Sequence, residues 1–444
     1  MNIHFIPNGE DTFIMFLPEA LKFYQVNGNT KRLVDEFLKG TPMEEIISRF
    51  EISKAEFDQI WNTVFSAPTA AVIPTDDDTL YKLILNVTNV CNLNCRYCYA
   101  GGGNYRSAEG LMDIDIAKQA VDLFYSKFKR ISLIQFFGGE PLLNEPVIRF
   151  VCEYITSLYD TGKIEHLPLF GTISNGTIFS EELAETIKKY NISLTLSIDG
   201  PKDVHDCMRV FNCGRGTYDT ISETISRFRD SNVHPTMVEA TYNIAHEQKG
   251  YSVKDTVKHI KEECHIPEVH IVPVTGNEKY ALSNLDSFVD SVSEVFREKA
   301  ETRKDYSYSL INRIVDGLKK RKTAPYFCTA GVSSLSVSSK GDLYPCFMFT
   351  DNPDFFMGSI FEGRAVFDNP RFLAIREKSL AFSKFEAEQC RDCFNNRICT
   401  GCLGENYYST GDAFHTAQDT CDMNKAMTEQ VLIALSNIKY HAKK

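Results

Sequence analysis

The sequence of 444 residues predicts an α/β protein with more than one domain. Between residues 81 and 274, apolar strand-like runs alternate with amphipathic helical stretches. This alternation is typical of a parallel sheet with right-handed crossovers, either open or closed into a barrel. Residues 1–75 instead show three short strand-like runs followed by three helical ones. Half of the fourteen cysteines fall between residues 328 and 421, which indicates a third region with its own chemistry.

The composition is that of an ordinary globular protein, with 43% hydrophobic and 24% charged residues. The net charge of −11 argues against nucleic acid or an anionic membrane as a partner. No apolar run approaches the ~20 residues of a spanning helix. The first residues lack a basic start and a small-residue cleavage site, so we expect a cytoplasmic protein. Thiols stay reduced in that compartment, and metal ligation is therefore the expected use of the cysteines.

The N-terminal region predicts strands followed by helices. The predicted strands are 2–6, 12–17 and 21–26, and the predicted helices are 30–38, 42–50 and 54–65. This order resembles the winged-helix, PqqD-like element with which peptide-modifying enzymes hold a leader peptide. The resemblance implies that a leader adds as a strand to the sheet edge. A structural cap remains an alternative, whereas a DNA-binding helix-turn-helix is disfavoured by the excess of acidic over basic residues.

A cysteine loop follows the first predicted strand of the central region, 81–88. Cys91, Cys95 and Cys98 place three thiols within eight residues. A zinc ion would need a fourth ligand close by, whereas an iron–sulfur cubane held by three thiolates leaves one iron open. This spacing, with Tyr97 before the last thiol, resembles the signature of the radical S-adenosylmethionine (SAM) family. The resemblance selects a partial (β/α)6 TIM barrel as the fold.

The family resemblance also implies a definite chemistry. The open iron would bind the amino and carboxylate groups of SAM, and one electron would cleave the sulfonium to give a 5′-deoxyadenosyl radical. Reduced flavodoxin or ferredoxin is the expected electron donor. The protein would bind the radical, aim it at the substrate and shield it from water.

Further site residues are expected at the carboxyl ends of the later strands. Gly138, Gly139, Glu140 and Pro141 end the second strand and resemble the family's GGEP segment. The glycines would allow close approach of the backbone to a ligand, and the resemblance implies that Glu140 accepts the methionyl ammonium of SAM. The remaining predicted strands are 131–137, 167–174, 192–199, 234–243 and 269–274.

Three residues on the third to fifth strands have open interpretations. Asn175 and Ser197 lie in segments that resemble those lining the SAM pocket, but both segments are also compatible with ordinary strand-ending turns. Glu239 would point into the barrel if the alternation holds. Both a substrate contact and a satisfied structural pair are consistent with a carboxylate there.

Helices predicted over 284–304 and 307–322 lead to the C-terminal cysteines, whose order resembles the SPASM domain. The resemblance implies two auxiliary [4Fe-4S] clusters, and so three [4Fe-4S] clusters in all. One cluster would take four thiolates, from Cys390, Cys393, Cys399 and Cys421. The other would take three, from Cys328, Cys346 and Cys402.

Two departures from the SPASM pattern affect the second cluster. Only two residues separate Cys399 from Cys402, and no eighth cysteine follows Cys328 closely. We infer an open iron that accepts a substrate thiolate as a soft ligand. A zinc ribbon would explain Cys390 and Cys393 but not the remaining thiols. The expected domains are a peptide-recognition element (1–75), a radical SAM barrel with bridging helices (80–322) and a SPASM domain (323–444).

These features predict a radical SAM/SPASM peptide maturase of the sactipeptide or ranthipeptide kind. It would form thioether cross-links from a cysteine sulfur to a carbon of a leader-bearing, Cys-containing precursor peptide. An anaerobic sulfatase maturase is the alternative enzyme, but relatives of that kind have an aspartate where Phe347 follows Cys346. A non-catalytic electron-transfer protein would not need the GGEP segment. The attacked carbon depends on placement that residue identity does not fix.

Overall fold

The computed structural model describes residues 2–274 and 279–441. Within these ranges the strands are β1 (His4–Pro7), β2 (Thr12–Leu17), β3 (Lys22–Asn27), β4 (Ala71–Val72), β5 (Thr79–Thr88), β6 (Arg130–Gly138), β7 (Leu169–Ser174), β8 (Ser193–Ser197), β9 (Met237–Tyr242), β10 (Glu268–Pro273), β11 (Lys322–Thr323), β12 (Ser334–Val337), β13 (Asp342–Tyr344) and β14 (Gly358–Ser359). The α-helices are α1 (Gly28–Leu38), α2 (Met43–Arg49), α3 (Lys54–Phe65), α4 (Ile114–Lys127), α5 (Glu145–Asp160), α6 (Glu181–Lys189), α7 (Lys202–Met208), α8 (Tyr218–Asp230), α9 (Ile244–Lys249), α10 (Val253–Glu262), α11 (Asp286–Thr302), α12 (Ser309–Lys320), α13 (Pro370–Ala381), α14 (Leu403–Thr410) and α15 (Gln418–His441).

The N-terminal unit is an antiparallel sheet of order β1-β2-β3 followed by α1, α2 and α3, so the predicted succession of strands and helices is confirmed. A capping box starts α3. The Ser53 hydroxyl accepts the Glu56 N–H at 3.2 Å, and the Glu56 carboxylate accepts the Ser53 N–H at 2.8 Å. The unit has its own apolar core, in which Leu33, Val34 and Phe57 are buried. Strand β3 is left at the edge of the sheet.

The central sheet contains the six parallel strands that the sequence predicts, in the spatial order β10-β9-β8-β7-β6-β5. Each of the six strands overlaps its predicted range, because each lies in an apolar-rich segment that the sequence pattern indicates as a strand. The sheet stays open, and α-helices separate successive strands along the chain. The predicted α/β fold is confirmed. Since parallel strands share one direction, the cysteine loop and the later strand ends meet at one edge.

Three short C-terminal strands extend this sheet to nine. Strand β12 pairs in parallel with β5, and β13 and β14 follow in antiparallel order. In this register Ser334 lies opposite Lys82, and the Lys82 N–H donates to the Ser333 carbonyl at 3.1 Å. The C-terminal cysteine region therefore continues the sheet that carries the first cysteine loop.

The N-terminal sheet rests on the C-terminal region. The Asn2 side chain donates to the Asp392 carbonyl at 3.1 Å, and the His4 ring stacks on Phe394 with centroids 3.7 Å apart. The His4 imidazole also lies 2.7 Å from the Glu429 carboxylate on α15. These contacts cover the loop that contains Cys390 and Cys393. Within the described ranges, no helix combines the length and apolar character that crossing a bilayer requires.

Candidate active site

The first cysteine loop is fixed by the end of β6. The Gly139 N–H donates to the Thr88 carbonyl at 3.0 Å, and the Glu140 N–H donates to the Val90 carbonyl at 2.8 Å. A Cβ at Gly138 would collide with the Thr88 carbonyl oxygen, and one at Gly139 would collide with the Val90 carbonyl oxygen. The two glycines therefore permit close approach to the cysteine loop itself, a reason that the sequence did not reveal.

Cys91, Cys95 and Cys98 lie together in this loop. Burial raises the pKa of Cys91 to about 12 and that of Cys95 to about 11, and neighbouring thiols add to both rises. Two donors point at the Cys91 sulfur, the Leu93 N–H at 3.5 Å and the Asn175 amide at 3.8 Å. Buried thiols with donors aimed at sulfur fit an iron–sulfur cluster, whose positive irons favour thiolates. In the described part of the chain, no three His, Cys, Asp or Glu side chains converge on a single-ion site.

Glu140 is fully buried and links the ends of β6 and β7. Its carboxylate accepts the Leu142 N–H at 3.0 Å, the Ser174 hydroxyl at 2.9 Å and the Asn175 N–H at 2.7 Å. Burial raises the pKa of Glu140 to about 7, although these three donors oppose the rise. Most of the acceptor capacity of Glu140 is thus used by the chain itself. Its predicted role as partner of the methionyl ammonium stays a prediction.

The Asn175 side chain also faces the cysteine loop. Its amide donates to the Asn92 side chain at 2.8 Å, and its carbonyl oxygen accepts the Thr177 N–H at 3.0 Å. Ser197 lies at the end of β8, level with Glu239 on β9. The side chains of Ser197 and Glu239 are partly buried, and neither makes a hydrogen bond or ion pair within the described ranges. The structural pair considered for Glu239 is therefore absent among these residues.

Asp199 and Arg209 are two site residues that the sequence did not single out. The Tyr97 hydroxyl donates to Asp199 at 2.6 Å, and the Arg209 Nε donates to the same carboxylate at 3.1 Å. Although burial would raise the pKa of Asp199, the Arg209 guanidinium holds it below its usual range. The Arg209 guanidinium lies over the Tyr97 ring at 5.5 Å, and in the described residues its terminal N–H groups make no hydrogen bond, so they are available to a ligand carboxylate. Tyr97, predicted to bind the cofactor, anchors this pair.

The seven C-terminal cysteines form two groups with the membership that the SPASM resemblance implies, and their role as cluster ligands stays a prediction. The four-thiol set comprises Cys390, Cys393, Cys399 and Cys421. Burial raises the pKa values of Cys390, Cys399 and Cys421, and neighbouring thiols of the set, Cys393 among them, add to each rise. The buried ammonium of Lys384 lies beside this set and donates to the Cys399 carbonyl at 3.0 Å. Burial lowers the pKa of Lys384 to about 8.

The three-thiol set comprises Cys328, Cys346 and Cys402. Burial raises the pKa of each thiol, to about 12 for Cys346, and neighbouring thiols of the set contribute at Cys346 and Cys402. The Gly331 N–H donates to the Pro345 carbonyl at 3.2 Å, which holds the segments of Cys328 and Cys346 side by side. Despite its short spacing from Cys399, Cys402 lies with these two thiols.

Comparison with known proteins assigns both cysteine regions. Residues 85–261 match the model of the radical SAM superfamily, and residues 328–394 match that of the SPASM iron–sulfur cluster-binding domain. The chain contains a radical SAM domain followed by a SPASM domain. These domains imply [4Fe-4S] clusters, and the thiol groups described above fit them.

Three relatives show how far the sequence likeness extends. An uncharacterized protein of Methanocaldococcus jannaschii is 39% identical over 32% of this chain, a match that spans about half (47%) of that relative. The radical SAM cyclopropyl synthase TigE of Paramaledivibacter caminithermalis is 23% identical over 80% of this chain and 74% of the relative. A cysteine-type anaerobic sulfatase-maturating enzyme of Clostridium perfringens is 24% identical over 82% of this chain and 99% of the relative.

Two solved structures share the fold. Native anSMEcpe with bound AdoMet and the Kp18Cys peptide aligns with a TM-score of 0.65 and 19% identity, covering 81% of this chain and 99% of that chain. Streptococcus suis SuiB bound to the precursor peptide SuiA aligns with a TM-score of 0.53 and 12% identity, covering 94% of this chain and 98% of that chain. SAM is thus bound in a protein of the same fold, and peptides are bound in both.

Tyrosines connect the radical SAM domain with the three-thiol set of the SPASM domain. The Tyr99 ring lies 6.2 Å from the ring of Tyr105 and 5.7 Å from that of Tyr408, between centroids. Burial raises the pKa of Tyr99 well above its usual value, and the thiols of Cys98 and Cys346 both contribute to the rise. Tyr99 therefore lies near one thiol of each domain. The rings of Tyr99, Tyr105 and Tyr408, here called the Tyr99 layer, therefore lie beside both predicted cluster sites.

Proposed function

We propose that this chain is a radical SAM enzyme that modifies a ribosomal precursor peptide by joining a cysteine sulfur to a carbon as a thioether. The observation that carries the proposal is the three-thiol set of Cys328, Cys346 and Cys402, which shares the Tyr99 layer with the first cysteine loop. A cluster held by three thiolates has one iron free for a soft ligand, and a peptide cysteine is such a ligand. The substrate sulfur and the carbon that it attacks would then lie between the two domains.

The roles of the chain's own residues follow from their contacts. Cys91, Cys95 and Cys98 would hold the first cluster, and the free N–H groups of Arg209 would hold the carboxylate of SAM. Bound SAM and the clusters supply the one-electron cleavage of the sulfonium and the removal of a substrate hydrogen. Asp199 fixes the Arg209 guanidinium in place, and the open sheet with its SPASM extension shields the reaction from water. Reduced flavodoxin or ferredoxin would supply the electron.

The N-terminal unit offers a place for the leader of the peptide. A groove of about 660 Å³ runs between the edge strand β3 and helices α1 and α3. Val26, Leu33 and Ile60 give this groove an apolar floor. An edge strand has free N–H and C=O groups, which an extended peptide pairs with when it adds to the sheet. We assign the leader to β3 on these grounds.

The likeness to the sulfatase-maturating enzyme, which covers 99% of that relative, supports a second candidate. An enzyme of that kind would oxidise a cysteine or serine to formylglycine. In this chain, Phe347 follows Cys346, and its ring packs on Phe137 with centroids 4.0 Å apart. An apolar ring in this position offers no general base, which favours the thioether proposal.

Co-expression with a short Cys-containing peptide encoded beside the gene tests the proposal. We expect mass spectrometry to show the loss of two hydrogens per link with the sulfur retained. Enzyme carrying Cys91→Ala is the matched control and should leave the peptide unmodified. Replacement of the sulfur by oxygen, with a sulfatase-derived peptide as the preferred substrate, would instead establish formylglycine formation.

A further inference from the structure

Lys82 on β5 and Glu239 on β9 both face the inner side of the central sheet. Side chains alternate between the two faces of a strand. The neighbours Leu83 and Val238 belong to the buried apolar core under the helices, so Lys82 and Glu239 point the other way. Both side chains are partly buried. The enclosed side of the sheet therefore contains one cation and one anion.

These two side chains share one face of the sheet without pairing. Burial raises the pKa of Glu239, and the positive charges of Lys82 and Arg209 oppose that rise. Over the ranges that the structure describes, the side chains of Lys82 and Glu239 make no hydrogen bond or ion pair, although both backbones pair in the sheet. Leaving a charge in a partly buried site without a partner costs free energy, so such a pair is expected to meet a ligand.

The position of Lys82 connects this pair to the three-thiol set. Lys82 lies opposite Ser334 of β12, the strand that begins six residues after Cys328. Ser334 in turn bridges Ala330, two residues after Cys328, and the Gly331 N–H holds this segment beside the one that contains Cys346. The strand register therefore places Lys82 beside the segment that contains Cys328, on the same face of the sheet as Glu239.

We propose that Lys82 holds the sulfur of the substrate cysteine as a thiolate beside Cys328, Cys346 and Cys402, and that Glu239 takes the proton of that thiol. This inference rests on the proposed function. The S–H bond breaks, the proton binds the Glu239 carboxylate, and both electrons of the bond stay on sulfur. No oxidant or reductant is needed for this step.

The chemistry of the thiol explains why both charges are needed. A cysteine thiol has a pKa of about 8.5, and only the thiolate is a good soft ligand. A nearby ammonium favours the thiolate, and a carboxylate with a raised pKa is a more effective proton acceptor than an exposed one. Met348, with its sulfur 3.6 Å from the Cys402 sulfur, adds a soft surface at the same place.

The test uses full-length enzyme, reconstituted without oxygen and reduced with dithionite. The probe is N-acetylcysteine methylamide, which has a thiol flanked by two amides and no charge, and N-acetylserine methylamide is its oxygen analogue. Electron paramagnetic resonance follows the auxiliary cluster as the probe is added at several pH values. We expect a thiol-dependent change in wild type that Lys82→Met weakens at pH 7 by about tenfold, the effect of one pKa unit. Lys82→Arg should restore part of the binding, and Glu239→Gln should shift the binding to higher pH.

Lys340→Met is the matched control, because it removes an exposed ammonium from the turn between β12 and β13. It should leave the half-saturating probe concentration unchanged. Equal thiol binding by wild type and Lys82→Met, absence of any probe effect in wild type, or equal binding of the serine analogue would overturn the inference. Should Lys82→Met lose iron, Lys82→Gln provides the same comparison with a polar side chain kept in place.

Formation of 5′-deoxyadenosine from SAM in the same samples separates this inference from the proposed function. If Lys82→Met and wild type both cleave SAM and bind the thiol equally, the role of Lys82 is wrong and the proposed function stands. If wild type cleaves no SAM, the proposed function itself fails.

Discussion

At the scale of the residue, Glu140 has two roles to consider, a predicted contact with a ligand and observed hydrogen bonds within the chain. The GGEP resemblance implies a carboxylate for a ligand ammonium, yet the chain supplies three donors of its own to that carboxylate. These bonds join the segment after β6 to the segment after β7. Glu140 therefore holds together the edge of the sheet at which SAM would bind, whatever else it contacts.

Replacing Glu140 with glutamine tests this structural role. The amide NH2 of glutamine is a donor, and it would face a donor of the chain such as the Asn175 N–H. Buried donors would then be unpaired. We therefore expect the free energy of unfolding to fall by about 1–3 kcal/mol. The folded-state pKa of Glu140 is raised from 4.5 to about 7, so its contribution is full below pH 4.5 and is lost as the pH rises through about 7. Thermal unfolding measured over this window should therefore depend less on pH in the variant.

Glu185→Gln is the control, because Glu185 is exposed on α6. It should leave both the stability and its pH dependence as in wild type. An unchanged pH dependence in Glu140→Gln would contradict the buried titration assigned to Glu140.

The limits of sequence reasoning are clearest among the charged residues of the site. The thiols were identified because their spacing is a local property of the chain. Asp199 lies in a segment that is also compatible with an ordinary strand-ending turn, and Arg209 follows ten positions later, directly after α7, without a distinctive pattern. The pairing of Asp199 and Arg209 with Tyr97 depends on the arrangement of distant strands in the sheet. The placement of Lys82 and Glu239 on one face of the sheet depends on it too. Residue spacing does not encode this arrangement.

At the scale of the element, the sequence predicts the longer strands of the central sheet but not its short C-terminal strands. The six central strands were predicted because each is at least five residues long and rich in apolar residues. Strands β12, β13 and β14 contain only two to four residues and depend on pairing with β5 and with one another. No local pattern predicts such strands, yet their pairing with β5 sets the position of the three-thiol set relative to the central sheet.

The groove at β3 leads to a prediction for helix α3. Ile60→Asp would place a charge on the apolar groove floor, so we expect leader binding to fall by at least about tenfold. Fluorescence anisotropy with a labelled precursor peptide measures the effect. Asp58→Asn, on the same helix but outside the residues that line the groove, is the control. Equal affinities of Ile60→Asp and Asp58→Asn would contradict the assignment of the leader to this groove.

At the scale of the whole molecule, the N-terminal unit packs against the SPASM domain. Asn2 and His4 contact Asp392 and Phe394, which flank Cys393. The unit that we assign to leader binding therefore also covers the loop of the four-thiol set. Because β1 is the edge of the sheet opposite β3, a peptide bound at β3 would leave these contacts in place.

Deletion of residues 1–75 tests both roles of the N-terminal unit. We expect the truncated enzyme to cleave SAM, because the first cysteine loop is built by the central sheet, but to process leader-bearing peptide poorly. We also expect faster iron loss in air, since the deletion uncovers Phe394 and the Cys393 loop. Iron content, 5′-deoxyadenosine and peptide mass measure the three effects. Unchanged processing by the truncated enzyme would remove the leader-binding assignment.

The central claim is that Cys91, Cys95 and Cys98 hold a cluster with a vacant iron that cleaves a sulfonium. The most direct measurement is the yield of 5′-deoxyadenosine from SAM with protein reconstituted without oxygen and reduced with dithionite. We expect 5′-deoxyadenosine from wild type and none from alanine variants at any of the three cysteines. Zinc in that loop of the native holoprotein, or the absence of 5′-deoxyadenosine from iron-loaded wild type, would contradict the account.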